Sequence, residues 1–540
     1  MSTLLEGVEV KRMDGGAGGT DIAGISMDSR RVRPGDLFAA LRGGRADGNS
    51  FIAQAFGRGA SAVLTDCLRN GNEIKDGGPV FIEVGDGRLA LARVAANFHG
   101  NPSGRLQVAG VTGTNGKTTT AFLIRQALER LGKKAGLIGT VKYIVGGRQM
   151  PAAFTTPEAP DFQRMLREML EAGQTHAVSE VSSHALVQRR VDCTTFKTAV
   201  FTNLTRDHLD FHKTMGIYYE AKKRLFTELL EKDPSSPAIV NTDDPFGRRL
   251  ARELSGRAPV IGFGMGEGSG IRAVSVRNRV SGLAFDLVFR GESRAVRSNL
   301  VGAHNVYNLL SAFGALIGFG FSAEEAAAGI ESLDGVKGRF ERMECGQDFL
   351  VVVDYAHTPD ALQRLIGTAR AIIGGDENSA SLGATVPGES SIPGRIIVVF
   401  GCGGDRDRGK RPEMGRIAAE MADFVIVTSD NPRSEDPLSI IGHIKEGMDG
   451  QGGEAPYAKN KTQAKSLFVP DRAEAIRTAV RAAAPSDIVL IAGKGHEDYQ
   501  EINGVRHPFS DQAVAEAALR ELAPENKNKN KNSGRRDAQA

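Results

Sequence analysis

The sequence predicts an α/β protein of three domains. Three observations carry that prediction: a length of 540 residues, short apolar runs alternating with helix-periodic stretches, and turn-rich breaks that divide the chain into blocks. A single hydrophobic core rarely serves more than about 250–300 residues, so a chain this long is expected to split. Hydrophobic residues at 41% and charged residues at 25% are ordinary globular values, which excludes fibrous and wholly disordered classes. The net charge of +3, from 68 basic and 65 acidic residues, gives no global reason to expect nucleic acid.

The first block, residues 1–104, mixes Gly-rich loops with the apolar runs Ala62-Val63-Leu64 and Val80-Phe81-Ile82, and closes on the turn-forming Gly100-Asn101-Pro102-Ser103-Gly104. The second, 105–337, starts with the apolar run Leu106 to Val111, then a Gly/Thr loop, then Ala121, Ile124, Leu128 and Leu131 at helical spacing. Buried strands are expected at Ala177-Val178, Thr198 to Thr202 and Ala238 to Asn241. Strands alternating with helices in this way imply a doubly wound parallel sheet. The third block, 338–525, repeats the pattern with strands at Leu350 to Val353, Ile396 to Phe400, Phe424 to Thr428 and Ile488 to Ile491. Inside it Gly374 to Gly394 reads as a surface insertion, and 526–540 alternates Asn and Lys too densely to pack.

The opening MSTLLEGVEV lacks a basic segment followed by an apolar core, and no uncharged apolar run is long enough to span a bilayer, so a cytoplasmic protein is expected. Cys67, Cys193, Cys345 and Cys402 lie far apart without a CxxC pair, which predicts reduced thiols rather than disulfides or a zinc site. Nothing calls for a second copy, and a monomer is expected.

The chemistry begins at Thr112-Gly113-Thr114-Asn115-Gly116-Lys117-Thr118-Thr119, placed between an apolar strand and a helix. Glycines let backbone N–H groups approach phosphate oxygens, Lys117 supplies a point charge, and the Thr118 hydroxyl suits Mg²⁺. Gly110 stands one residue before the usual first glycine, where this chain has Val111. A nucleotide is implied; the reaction is left open. Two further clusters follow strand ends: Ser179-Glu180-Val181-Ser182-Ser183-His184, and Asn203 to His212 with Asp207, His208 and Asp210. Ligands of open α/β sheets gather at such ends, so these side chains are candidates for the phosphates and a metal, with helix capping as the plainer alternative.

With those motifs in view the chain resembles the Mur ligases over nearly its whole length. TGTNGKTT, SEVSSHAL, NLTRDHLDFH, Tyr219-Glu220-Ala221-Lys222, Ala303 to Asn308, Gly338-Arg339 and Val353 to Asp360 occur in that family's order. The resemblance implies a UDP-sugar-binding N-terminal domain, a central ATPase domain and a C-terminal Rossmann-like domain that closes over the site. It implies an ATP-dependent amide-bond ligase of peptidoglycan precursor synthesis that works through an acyl phosphate, with Mg²⁺ as cofactor. By the same resemblance Lys117, Glu180, His208 and Lys222 are catalytic; Thr118 and Glu180 hold one Mg²⁺, and His208 with a carbamylated Lys222 the second. Gly113 to Thr119 (Gly113, Thr114, Asn115, Gly116, Lys117, Thr118, Thr119), Asn308, Arg339 and Asp354 match ATP-binding positions.

For a UDP-N-acetylmuramoyl-dipeptide the matching positions are Met27, Ser29, Gly44, Arg45, Ala46, Thr155, Thr156, Ser182, Gln188 and Arg190; Arg45 and Phe154 depart from the family pattern. For the incoming amino acid they are Arg406, Asp430, Asn431, Pro432, Arg433, Gly493 and Glu497. Asp430-Asn431-Pro432-Arg433 resembles the type that takes meso-diaminopimelate. A guanidinium at 433 offers the distal carboxylate of that amino acid a bidentate partner, which lysine as substrate could not use. The plainer role for Arg433 is a bridge to Glu435 or Asp436.

Overall fold

The computed structural model describes residues 1–15, 20–43, 46–67, 80–230, 236–279, 282–331, 333–374, 394–449 and 465–522. The insertion expected at 374–394, except for its end residues, the tail expected at 526–540, and Gly44 and Arg45 lie outside them. By its internal contacts the chain divides into two compact units. The first comprises Met1–Val276, Ala284–Ser298 and His304–Leu333; the second comprises Asp334–Ala540 with Arg277–Leu283 and Asn299–Ala303.

The first unit opens with a five-stranded sheet ordered Val10–Asp14, Val80–Val84, Ala62–Thr65, Asp36–Ala40, Gly24–Ser26, antiparallel only at its Val10–Asp14 edge. Successive side chains of a strand point to opposite faces. Leu37 therefore joins Leu64, Ile82 and Leu91 in one core, and Phe38 joins Val63 and Ile52 in another. Helix Gly87–Phe98, capped by the Asp86 carboxylate on the Leu89 N–H (3.0 Å), and the turn Pro102–Gly104 lead into a second, 11-stranded sheet.

In that sheet Gln107–Thr112 lies between parallel neighbours His176–Glu180 and Thr198–Phe201. Ala135–Ile138 continues one side, and Ala238–Asn241 then Val260–Gly264 the other. The first strand in sequence thus sits where the strand order reverses, the place at which open α/β sheets bind ligands. Helix Lys117–Arg130 buries Ala121, Ile124, Ala127 and Leu128, and stops where Gly132, at φ 73, and Lys133 turn their N–H groups back onto Glu129 and Leu128. Burial of a Leu such as Leu128 contributes about 1.5–3 kcal/mol. The sequence reading did not foresee the hairpin Lys142–Val145/Arg148–Pro151 or the strands Ile271–Arg279, Gly282–Phe289 and Glu292–Ser298 that extend the two edges.

The second unit is built on a six-stranded sheet ordered Glu341–Met343, Leu350–Asp354, Ile488–Ala492, Ile396–Phe400, Phe424–Val427, Lys465–Phe468, parallel except at the first strand. Val352, Val398 and Leu490 enter the core on one face; Val351, Val399 and Ile491 enter that on the other. Both faces are covered, which is why these strands read as continuous apolar runs. The last described helix, Asp511–Leu522, is held by a bidentate pair: Arg472 Nε and Nη2 each stand 2.7 Å from an Asp511 carboxylate oxygen, with both side chains fully buried. Arg472 also donates to the carbonyls of Ser429 (3.3 Å) and Ala492 (3.0 Å).

Removing one partner of such a pair strands a buried charge. Asp511→Ala is expected to lower the unfolding free energy of the full chain by about 3–5 kcal/mol, measured by urea denaturation, and a loss below about 1 kcal/mol would show the pair to be dispensable.

Candidate active site

The loop after strand Gln107–Thr112 is fixed by the next strand end. Thr114 N donates to Asn203 O (2.9 Å), Asn115 N to Asn203 Oδ1 (2.9 Å), and Thr202 Oγ1 to Asn115 O (2.6 Å). Gly113 lies at φ 148, and a Cβ there would stand 1.9 Å from Thr202 Oγ1, so glycine is required by space as well as conformation. Gly116, at φ 85, opens helix Lys117–Arg130, whose first N–H groups have no intrahelical acceptor. Asn308 reaches this point from helix Ala303–Gly318: it is buried, accepts from Thr120 Oγ1 (3.3 Å) and receives its orientation from Asn305, to which its Nδ2 donates (2.9 Å). Thr119 is half-buried on the same helix as Thr118.

Glu180, fully buried at the end of its strand, has its carboxylate set from three sides. Thr118 Oγ1 donates to Oε2 (2.9 Å), Thr140 Oγ1 to Oε2 (3.0 Å) and Thr140 N to Oε1 (2.8 Å). Thr140 also lies 3.1 Å from Thr155 Oγ1. The sequence reading missed Thr140, although it follows strand Ala135–Ile138 as Glu180 ends its own.

Two ammonium groups converge on one backbone oxygen. Lys117 Nζ donates to Gly113 O (3.0 Å) and Thr114 O (2.9 Å), and Lys222 Nζ donates to the same Gly113 O (2.7 Å). Lys222 is buried against the Tyr218 ring, its Nζ 4.7 Å from the centroid. Burial first, and the Lys117 charge second, push its pKa well below the ordinary lysine value. His208, at φ 52, lies beside the other side of Tyr218 (centroids 6.1 Å) and edge-on to His184 (4.9 Å); His212 contacts Ser183 Oγ at 2.8 Å. Desolvation lowers the pKa of all three histidines, that of His212 to about 4, which favours the neutral imidazoles. Neutral imidazole is the form that binds a metal. Among the described residues no group of three or more His, Cys, Asp or Glu side chains could hold a metal ion, so a cation here would draw on hydroxyl and substrate oxygens as well.

Arg190 holds the remaining central-domain candidates together. It donates to Thr156 O (2.8 Å), pairs with Glu158 (2.8 Å) and Gln188 Oε1 (2.6 Å), and lies over the Phe154 ring at 5.2 Å. Thr156 in turn donates to Glu180 O (2.8 Å) and accepts from Ser182 N (3.1 Å). In the N-terminal part, Ser29 Oγ donates to Gln54 Oε1 (2.7 Å), Met27 packs on the sheet core, and Ala46 O accepts from Gly43 N (2.9 Å). A cavity of about 450 Å³ lies in this unit, lined by Leu41, Arg42, Asp66, Asp86, Arg88 and Arg189 among others. Its three guanidinium-bearing residues carried no motif that sequence reading could have used.

The second unit supplies its own polar cluster. Asp354, half-buried at a strand end, accepts from Phe340 N (2.7 Å) and Ala356 N (2.8 Å); desolvation raises its pKa, opposed by the Arg339 charge. Arg339 lies over the Tyr355 ring at 4.8 Å. Arg433 does not bridge to Glu435 or Asp436, the plainer alternative to its role toward the amino acid. Glu435 is taken by fully buried Arg411 (2.9 and 3.0 Å), and Asp436 caps helix Pro437–Met448 through Ser439 N (3.0 Å). Arg433, at φ 52, donates instead to Gly404 O (2.7 Å) and stands 3.8 Å from Glu501. A Cβ on Gly403 would lie 3.0 Å from Arg433 Nη1 and 3.7 Å from Arg406 Cγ, which places both arginines beside one loop; Arg406 is exposed. Pro432 O backs the neighbouring Gly404 closely. Asn431 and Lys494 both donate to Glu497 Oε2 (2.8 and 3.0 Å), and Gly493 packs on Asp430.

Comparison with known proteins follows this division of the chain. Three family profiles match in order: "Mur ligase family, catalytic domain" over 21–99, "Mur ligase middle domain" over 111–316 and "Mur ligase, glutamate ligase domain" over 338–495. A protein of Geobacter metallireducens, named UDP-N-acetylmuramoyl-L-alanyl-D-glutamate--2,6-diaminopimelate ligase, is 44% identical over 94% of this chain and 96% of its own length. The chain belongs to the Mur ligase family. A Mur ligase of Solibacter usitatus with the same name is 45% identical over 93% of this chain and 94% of its own. A solved structure of a ligase so named shares the Mur ligase fold with a TM-score of 0.65 and 32% identity, covering 93% of this chain and 95% of its own. The fold is therefore the family's three-domain α/β architecture, with the N-terminal, central and C-terminal parts in that order. Cys67, Cys193, Cys345 and Cys402 form no disulfide with one another. Among the described residues no helix is long and apolar enough to cross a membrane.

Gly113→Ala cannot be accommodated without displacing Thr202 or the loop. It is expected to weaken ATP binding at least about tenfold by calorimetric titration, the size of one or two lost charge-assisted contacts, and unchanged affinity would show that the loop tolerates a different path.

Proposed function

We propose that this chain is an ATP-dependent ligase that adds meso-2,6-diaminopimelate to UDP-N-acetylmuramoyl-L-alanyl-D-glutamate. It would act in the cytoplasm on three soluble substrates, with the domains divided at 1–104, 105–337 and 338–525. The observation that carries this reading is the pair of sites held by one chain. A phosphate loop faces the Thr118–Glu180 pair in the first unit, and Arg406 and Arg433 stand at one loop near Asp430 and Glu497 in the second. The names shared by relatives of 44% and 45% identity support the same substrates.

The chemistry divides into two displacements. A carboxylate oxygen of the muramoyl dipeptide attacks the γ-phosphorus of ATP and ADP leaves, giving an acyl phosphate. The amine of the amino acid then attacks the acyl carbon, phosphate leaves, and the amine proton is lost to solvent. Little covalent work falls to the protein; positioning and charge neutralisation carry the rate. Lys117 and the N–H groups of the loop bind the phosphates, and Asn308, Arg339 and Asp354 bind adenosine or order the phosphates. Thr156, Ser182, Gln188 and Arg190 bind the dipeptide, and Arg42, Arg88 and Arg189 suit the diphosphate of the UDP moiety.

Mg²⁺ fits the donors present: Thr118 and Glu180 would hold one ion, His208 and a carbamate on Lys222 the other, and the ions would neutralise phosphate charge. Burial favours the neutral form of the Lys222 amine, and that form can add CO₂ with loss of a proton. The resulting anion is attracted by the Lys117 charge.

Phosphate release from ATP in the presence of the UDP-muramoyl dipeptide is expected with meso-diaminopimelate and not with L-lysine; release with lysine alone would overturn the assignment of amino acid. Arg433→Ala is expected to raise KM for diaminopimelate by about 30-fold or more, the size of a lost bidentate charge pair, while KM for ATP holds. Equal KM values would remove Arg433 from the amino acid pocket. CO₂-free buffer is expected to lower activity, and bicarbonate to restore it; activity indifferent to both would remove the carbamate.

A further inference from the structure

Lys494 lies in the second unit with no exposed side-chain surface, between Gly493 at φ 119 and Gly495 at φ 52. The turn points its side chain inward: a Cβ on Gly493 would meet Asp430 Oδ2 at 2.7 Å, and Glu497 N returns to Lys494 O at 3.0 Å. Its Nζ donates to Asn431 Oδ1 (3.0 Å) and Glu497 Oε2 (3.0 Å), with Asp430 Oδ1 at 3.9 Å. Asn431 is held in one orientation, because its Oδ1 also accepts from Glu501 N (2.9 Å) while its Nδ2 donates to Glu497 Oε2 (2.8 Å). Both donors therefore grip the same carboxylate oxygen. Among the described residues none donates to Glu497 Oε1.

We infer that Lys494 is a positioning residue for the amino acid: through Asn431 and Glu497 Oε2 it fixes the polarity of the group at position 497 and leaves Oε1 as an acceptor for the substrate's ammonium. This rests on the reading of Glu497 as part of the amino acid pocket. Burying a lysine is costly unless it is paired, and here the partners are the carboxylates and amide of the proposed pocket rather than a remote acid. An ammonium needs acceptors only, so any donor turned toward it repels it.

A consequence follows for Glu497→Gln. Two donors aimed at one terminal atom oblige glutamine to place its oxygen there, which turns its NH₂ toward the substrate ammonium. Glu497→Gln is thus worse than Glu497→Ala, the reverse of the order expected when a glutamine is free to flip. The experiment measures KM for meso-diaminopimelate, ATP and the sugar nucleotide in the full-length enzyme and in Glu497→Gln, Glu497→Ala, Lys494→Met and the Lys494→Met/Glu497→Gln double variant. Expected results are a KM for diaminopimelate at least about tenfold higher in Lys494→Met, the size of a lost charge-assisted hydrogen bond, with KM for ATP unchanged. Glu497→Gln is expected to exceed Glu497→Ala, and the double variant to show less than the product of the single effects.

Glu497→Gln milder than Glu497→Ala overturns the proposal even if Lys494→Met fails to fold, since neither 497 variant alters the lysine. Equal effects of Lys494→Met on all three KM values assign the lysine to general stability and also overturn it. A wild-type enzyme inactive with diaminopimelate would instead overturn the proposed substrate, before any variant is compared.

Discussion

One backbone oxygen, that of Gly113, receives the ammonium groups of both Lys117 and Lys222, and much of the first unit is arranged around that constraint. Two ammonium groups on one carbonyl repel each other, and the more deeply buried Lys222 is the one whose pKa is pushed down, by burial first and the Lys117 charge second. The Gly113 carbonyl can occupy that position only because Gly113 has no side chain and the loop is pinned by Thr202 and Asn203. Those residues sit at the end of strand Thr198–Phe201, directly beside Gln107–Thr112 in the sheet. The register of two strands thus bears on the pKa of a lysine.

Much of this was legible before any coordinates. Parallel strands buried on both faces appear as uninterrupted apolar runs, so Gln107–Thr112, Ala238–Asn241 and Ile396–Phe400 declared themselves, the first displaced by one residue and the other two with the expected bounds. The phosphate loop was legible because its function requires glycine, lysine and threonine at fixed offsets after a strand. Where motif and strand end coincide, as at Glu180, the structure brings the predicted Thr118 to within a hydrogen bond.

What escaped had weaker local signals. Asp36–Ala40 begins with a charged residue and is too short for a period to show. Gly282–Phe289 does alternate, with Leu283, Phe285, Leu287 and Phe289 buried, but the intervening Ala284 and Val288 are apolar too and blur the two-residue period. Thr140 and Lys494 were missed for another reason: each acts through a carboxylate that was recognised, and a threonine or lysine that orients another side chain has no composition or spacing of its own. Arg433 shows the converse. Its neighbours in sequence, Glu435 and Asp436, looked like partners, yet one is claimed by Arg411 and the other by a helix end.

The buried pairing of Arg472 with Asp511 bears on how the chain is completed during synthesis. Domains tend to fold as units in the order they leave the ribosome. The first unit is fully encoded by Leu333 and can close while translation continues. The second cannot: its sheet is complete in sequence at Ala492, yet the guanidinium beneath Ser429 and Ala492 lacks its bidentate partner until residue 511 emerges. The proposed amino acid pocket, whose Asp430 and Gly493 adjoin those two carbonyls, is therefore completed only after the loop Gly113 to Thr119 of the first unit.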